Sequence, residues 1–280
     1  MSRSNVPGAH DGGMPGLLLD LDGVVYVGDA AVPGAADAIA WFAREGVPYR
    51  YVTNTSSRPR TAIVEKLRRF GIDAAPDGIL TPAVVAAAWL RRERMARPAL
   101  FVPAATATEF AAFDAPARAG EQGADAVVIG DLGDGWDFAT LNRAFRLLMA
   151  DPAIPLLALG TTRYWRGDDG LRLDAGPFVR ALEYATGRTA IVLGKPDPAF
   201  YRTATAELGL EPEEVVMVGD DLRTDVEGAQ RAGLAGVLVR TGKFAPSDLE
   251  TEVAPDAVLD SLADLPAWWR AHGSRAPSTP

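Results

Sequence analysis

The chain contains no cysteine, which excludes thiol nucleophiles, disulfides and cysteine-ligated zinc or iron–sulfur sites. Histidine is almost as scarce, with only His10 and His272. A Ser-His-Asp triad needs an imidazole base and a multi-histidine metal site needs several, so neither has the material it requires. Lysine occurs only at Lys66, Lys195 and Lys243 among 28 basic residues, so a lysine that closes an apolar run stands out from generic surface charge. No apolar stretch is long enough to span a bilayer, and Asp20 cuts the run Leu17–Leu19 too soon for a signal-peptide core. A cytoplasmic protein without a membrane partner is expected. The net charge of −9 argues against a nucleic-acid surface. Chemistry is left to carboxylates, hydroxyls, amides, Lys and Arg, which suits a small anionic substrate held by a metal.

At 280 residues with 48% hydrophobic content, the chain can bury a large core. Residues 1–14 have no periodic apolar pattern and read as a disordered leader. Beyond them, apolar runs alternate with helical patterns. Leu17–Leu19 precedes a helix with Ala35, Ala38, Ile39 and Phe42 on one face, and Tyr49–Val52 precedes a helix from about 59 to 70. Gly78–Thr81 reads as a third strand, followed by a helix from Pro82 through Arg97. This β–α rhythm predicts a doubly wound parallel-sheet core of the Rossmann-like α/β class. Residues 83–190 shift in composition and carry strand candidates at Ala99–Val102, Ala126–Ile129 and Leu156–Leu159, so a smaller α/β cap domain is predicted there. It would interrupt a discontinuous core of 15–82 and 191–272, and 273–280 would be a flexible tail.

Four apolar runs end in polar signatures: Asp20-Leu21-Asp22-Gly23, Thr53-Asn54, Gly194-Lys195-Pro196 and Gly219-Asp220-Asp221. In a parallel sheet the carboxyl ends of strands share one edge, so these groups are expected to converge. Alone, Asp20 and Asp22 favour an acidic turn after a strand over a metal site. Together with the other three runs they suit phosphoryl transfer, in which an aspartate attacks a phosphate whose charge must be offset. Asp20 and Asp220 can hold Mg²⁺, an oxygen-seeking cation, and Lys195 can supply fixed positive charge. Thr53 and the backbone amides near Asn54 and Gly23 can donate to phosphoryl oxygens, and Asp22 can act as acid and base.

These motifs, extended to Asp20–Tyr26, Gly194–Pro198 and Gly219–Asp225, resemble the four motifs of the haloacid dehalogenase superfamily of phosphatases, in the same order. The insertion is similar to the large α/β cap of the NagD-like and 4-nitrophenylphosphatase-like subgroup. Tyr164-Trp165, Leu173–Pro177, Ala181–Ala185 and Val239–Phe244 look most like phosphatases of phospholysine, phosphohistidine and inorganic pyrophosphate. The resemblance implies Asp20 as nucleophile, Asp22 as acid and base with its carbonyl on Mg²⁺, and Thr53 on the phosphoryl group. It further implies Lys195 as counter-charge, Asp220 as metal ligand, Asp225 as an orienting carboxylate and a homodimer through the cap. Asp221 can reach the metal through water, and spacing does not separate it from Asp220. The expected function is Mg²⁺-dependent hydrolysis of a small phosphorylated metabolite, phosphoramidate or pyrophosphate through an aspartyl-phosphate. The rivals are a signalling receiver that keeps its phosphoaspartate and a non-catalytic phospho-ligand binder.

Gly236–Lys243 is not a P-loop, because five residues separate Gly236 from Gly242 and Phe244 stands where a Ser or Thr would meet Mg²⁺. Asp131, Asp134 and Asp137 lack calcium-loop spacing and read as a solvated loop, with repulsion of some substrates as the alternative. Tyr164 and Trp165 read as cap packing, with lining of the cavity as the alternative, and Arg58 and Arg60 as helix-surface charge, with contact to substrate as the lesser alternative.

Overall fold

Every residue of the strand Gly16–Asp20 is buried, as expected for a strand covered on both faces of a parallel sheet. In this computed structural model, which describes residues 16–114, 123–167 and 170–272, the strand belongs to the first of two units. That unit comprises Met1–Arg50 with Ala204–Pro280, and the second comprises Tyr51–Thr203. The expected leader, 1–14, and tail, 273–280, lie outside the described residues. None of the described helices is long and apolar enough to cross a membrane.

In the first unit, Gly16–Asp20 pairs in parallel with Val215–Gly219, from Gly16 opposite Val215 to Leu19 opposite Val218. Ala235–Val239 and then Ala257–Leu259 extend the parallel sheet on that side. On the other side, the Leu17 N–H donates to the carbonyl of Pro48 at 3.0 Å. Leu17, Leu18 and Leu19 are fully buried, each worth about 2 kcal/mol in transfer free energy. The helix Ala35–Glu45 turns Ala35, Ala38, Ile39 and Phe42 inward, which is the face its spacing predicts. Gly46, left-handed at φ 70°, closes it by donating to Ala43 and Phe42 carbonyls. The Phe42 ring meets Trp269 edge-on at 5.7 Å, which fixes the terminal helix Leu265–His272 against it.

In the second unit, Tyr51 and Val52 pair in parallel with Ile79 and Leu80. Thr81 caps the helix Pro82–Arg92 by accepting from the Val84 N–H at 3.4 Å. The expected continuation to Arg97 does not occur. Arg94 enters the left-handed region at φ 59°, and the Met95 N–H turns back to the Leu90 carbonyl at 2.9 Å. A separate parallel sheet runs in the order Ile191–Val192, Leu156–Ala158, Ala126–Ile129, Pro98–Phe101. The helices Phe138–Ala150 and Ala175–Thr186 bury Leu147, Leu148, Val179 and Leu182 in its core.

One sequence expectation is corrected here. Ile191–Leu193 was read as a strand of the sheet that carries Asp20, but Ile191 and Val192 pair with Leu157 and Ala158 in the sheet of the second unit. The Leu193 N–H completes that pairing at the Ala158 carbonyl, 2.9 Å away. An apolar run marks a strand candidate but not which sheet it joins, and here Ile191 is exposed and only Leu193 is fully buried. A hairpin absent from the sequence reading pairs Tyr164–Gly167 with Gly170–Leu173 antiparallel. Tyr164 and Trp165 are half-exposed on it, and Trp165 lines a cavity, so the cap-packing reading gives way to its alternative for Trp165.

Candidate active site

The strand Gly16–Asp20 ends on Asp20, and Val215–Gly219 delivers Asp220 one residue beyond its own end. Because the two strands are parallel neighbours in register, the two carboxylates emerge side by side. Asp225 joins them through local geometry. After Asp221 the chain forms a π-helical turn, Leu222–Glu227, in which the Asp221 carbonyl accepts from Asp225 N–H at 2.9 Å and Val226 N–H at 3.4 Å. The Asp225 carboxylate in turn accepts from the Asp221 N–H at 3.2 Å.

Asp20, Asp220 and Asp225 are all buried, and each offers an oxygen within 4.8 Å of the others. Three carboxylates withdrawn from water into so small a space repel one another unless a cation offsets them. An all-oxygen donor set of this kind fits a hard divalent cation such as Mg²⁺. Asp22 lies outside the trio. Its side chain is exposed, with the Tyr26 hydroxyl 3.5 Å away, while the Gly23 N–H donates to the Tyr26 carbonyl at 2.7 Å. Asp221 also stands apart, accepting from Arg223 and Thr224 N–H groups at 3.1 and 2.9 Å. Desolvation acts upward on Asp221, but the Thr224 hydrogen bonds and the Lys243 charge outweigh it and hold the carboxyl below its ordinary range.

Asp220 is boxed in by glycine. At Gly23, with φ +90°, a Cβ would lie 1.9 Å from Asp220 Oδ2. At Gly242, with φ +64°, the same atom would be 2.0 Å away. The next residue completes the wall, since the Lys243 N–H donates to Asp220 Oδ2 at 2.7 Å. The sequence reading met this segment as a failed P-loop and as part of the resembling stretch Val239–Phe244, but assigned it no place at the acidic site.

In the second unit, Thr53 is buried at the end of the strand Tyr49–Val52. Its Oγ1 accepts from the Thr55 N–H at 3.1 Å. The Asn54 carboxamide is spent on Lys195, with Oδ1 accepting the Lys195 N–H and Nδ2 donating to the Lys195 carbonyl, both at 2.8 Å. Beside its backbone N–H, Asn54 keeps one carboxamide N–H that these two bonds do not use. Lys195 is itself buried. Arg60, read as surface charge, grips Glu109 through its Nε and Nη2 at 2.9 to 3.2 Å. Asp131 and Asp134, read as a solvated loop, line a cavity of about 390 Å³ with Trp136, Trp165, Arg172 and Phe178. Asp137 instead caps the helix Phe138–Ala150 by accepting from the Thr140 N–H at 2.7 Å.

Comparison with known proteins finds similarity to haloacid dehalogenase-like hydrolases. Residues 17–114 match a family model described as haloacid dehalogenase-like hydrolase, and residues 192–265 match one described as HAD-hydrolase-like. Phospholysine phosphohistidine inorganic pyrophosphate phosphatase of Bos taurus is 40% identical, over 90% of this chain and 93% of that protein. Haloacid dehalogenase-like hydrolase domain-containing protein 2 of Homo sapiens is 41% identical, over 87% of this chain and 90% of that protein. The crystal structure of 4-nitrophenylphosphatase from Thermotoga maritima superposes with a TM-score of 0.81 at 30% identity, over 90% of this chain and 96% of that one.

Proposed function

The chain belongs to the haloacid dehalogenase-like hydrolase family and is a phosphatase, and from that premise we propose that it hydrolyses a small phosphorylated substrate through an aspartyl-phosphate on Asp20. The observation that carries the reading is the buried trio Asp20, Asp220 and Asp225. Mg²⁺ bound there would offset phosphate charge, with Asp20, Asp220 and the backbone carbonyl of Asp22 as its ligands and Asp221 and Asp225 steadying them.

The Asp20 carboxylate attacks phosphorus and the bond to the leaving oxygen or nitrogen breaks. Asp22 gives that atom a proton, then takes one from the water that opens the aspartyl-phosphate, which returns Asp20 as a free carboxylate with release of phosphate. The Thr53 hydroxyl and the N–H groups of Gly23 and Asn54 donate to the phosphoryl oxygens, where charge develops, and Lys195 offsets that charge. Residues 83–190 choose the substrate. The bovine relative's name supports phosphoramidates and inorganic pyrophosphate as candidates beside phosphate esters. A cytoplasmic location and a homodimer through the inserted region belong to the same reading.

Asp20→Asn is expected to abolish phosphate release while the protein melts like wild type. Acid-quenched wild type is expected to retain label from a radiolabelled phosphoryl donor, EDTA to stop turnover and Mg²⁺ to restore it. Full activity of Asp20→Asn would overturn the mechanism, and a stable phosphoprotein without turnover would make the chain a receiver.

A further inference from the structure

The segment Thr241–Lys243 meets the acidic site through its backbone and through one charged side chain, and the two contributions are separable. The Thr241 hydroxyl donates to the Gly23 carbonyl, and the Lys243 N–H holds Asp220 Oδ2 at 2.7 Å. Neither contact involves the lysine side chain. Its ammonium lies 3.4 Å from Asp221 Oδ2, and the side chain is 71% exposed against 25% for its partner. The ammonium is therefore largely solvent-exposed beside Asp221 and can swing into water.

We propose that Lys243 is the resident counter-cation of this site, its ammonium offsetting the Asp221 carboxylate next to Asp220 when no divalent cation is bound and opposing the entry of one. The proposal rests on the metal-site reading above and goes beyond it by assigning a role to a residue outside the four motifs. Asp20, Asp220 and Asp225 gather within 4.8 Å with Asp221 next in the chain to Asp220, and this crowd of negative charge repels itself before a metal arrives, a repulsion that a nearby ammonium lowers. Once a doubly charged ion enters, the same ammonium repels it. Lys243 thus stabilises the empty site and weakens the filled one. The neighbouring arginines are engaged elsewhere, Arg223 with Glu227 at 3.0 Å and Arg240 with Asp260 at 2.8 Å. Consistent with this arrangement, burial acts downward on the Lys243 pKa, but the charges of Asp221, Asp220, Asp20 and Asp225 outweigh it and hold the ammonium above its ordinary range.

The test is Mg²⁺ titration by calorimetry on the full chain for wild type, Lys243→Met and Lys243→Arg, with melting curves in EDTA and in saturating Mg²⁺. Lys243→Met is expected to bind Mg²⁺ about threefold to tenfold more tightly at low salt, with the gain shrinking as salt screens the charge. Lys243→Arg, which keeps the charge, is expected to match wild type. In EDTA the methionine variant should melt below wild type, and saturating Mg²⁺ should close the gap. Equal or weaker Mg²⁺ affinity in Lys243→Met, or a higher melting temperature in EDTA, would overturn this role and leave the phosphatase mechanism standing. A wild-type chain that takes up no divalent cation would overturn the metal reading and this proposal together.

Discussion

Asn54 holds the peptide of Lys195 from both sides, its Oδ1 accepting the N–H and its Nδ2 donating to the carbonyl, at 2.8 Å each, across 141 residues of sequence. A primary amide is the side chain that offers a donor and an acceptor in one plane. Its chemistry therefore sets where the lysine backbone lies. Replacing it leaves both Lys195 backbone groups without that partner, at about 1–3 kcal/mol each for a buried group.

Asn54→Ala is accordingly expected to lower kcat/KM by about tenfold or more, with most of the loss in kcat. Asn54→Asp should not rescue it, because a carboxylate cannot donate to the Lys195 carbonyl. Steady-state kinetics on wild type and both variants measure the effect, and unchanged kcat/KM in Asn54→Ala would remove Asn54 as a positioning residue.

Gly23 is a second point of no tolerance. A Cβ there would overlap Asp220 Oδ2 at 1.9 Å in a backbone with φ +90°, and Asp220 cannot retreat without giving up the Lys243 N–H. Gly23→Ala is expected to cut Mg²⁺ affinity and phosphate release by about a hundredfold or more, with a strain of about 1–3 kcal/mol visible as a lower melting temperature. Wild-type Mg²⁺ affinity in that variant would show that the site has room the structure does not.

The contact between the Phe42 and Trp269 rings joins chain segments more than two hundred residues apart. Phe42 is fully buried, so Phe42→Ala is expected to cost about 3–5 kcal/mol in urea unfolding. A cost near zero would mean that the terminal helix is not held by this contact.

Asp174 caps the helix Ala175–Thr186, accepting from the Ala175 N–H at 2.6 Å. Burial, with the Asp131 charge added, raises its pKa against the pull of that N–H. A carboxyl raised on folding binds its proton more readily in the native state, so its charge destabilises the fold above the folded pKa. That penalty is relieved as pH falls through the folded value toward the unfolded one. Asp174→Asn keeps an acceptor oxygen and carries no charge, so it should melt above wild type at neutral pH and equal it below about pH 4. Melting curves across that range decide it, and a variant less stable than wild type at neutral pH would show that the charged cap is favourable.

The periodic apolar positions of Ala35–Glu45 and the runs that became Gly16–Asp20, Tyr49–Val52 and Val215–Gly219 were legible because burial of one face leaves its period in the sequence. The acidic motifs were legible for a related reason. A carboxylate directly after a buried apolar run has few structural uses, and Asp20 and Asp220 do meet. Helix ends were less legible, since the stop at Arg92 depends on a left-handed turn at Arg94 that no glycine announces.

The sequence by itself determined which segments are buried, the α/β class and the identity of the chemistry-bearing residues, because hydrophobic period and side-chain type are local properties. Only the tertiary structure decided partners. It put Ile191–Val192 beside Leu156–Ala158, turned Asp225 inward through a π-helical turn, spent the Asn54 amide on Lys195 and laid the Lys243 N–H on Asp220. Each of these rests on hydrogen bonds or close packing between specific atoms, and the direction of a hydrogen bond leaves no period in the chain.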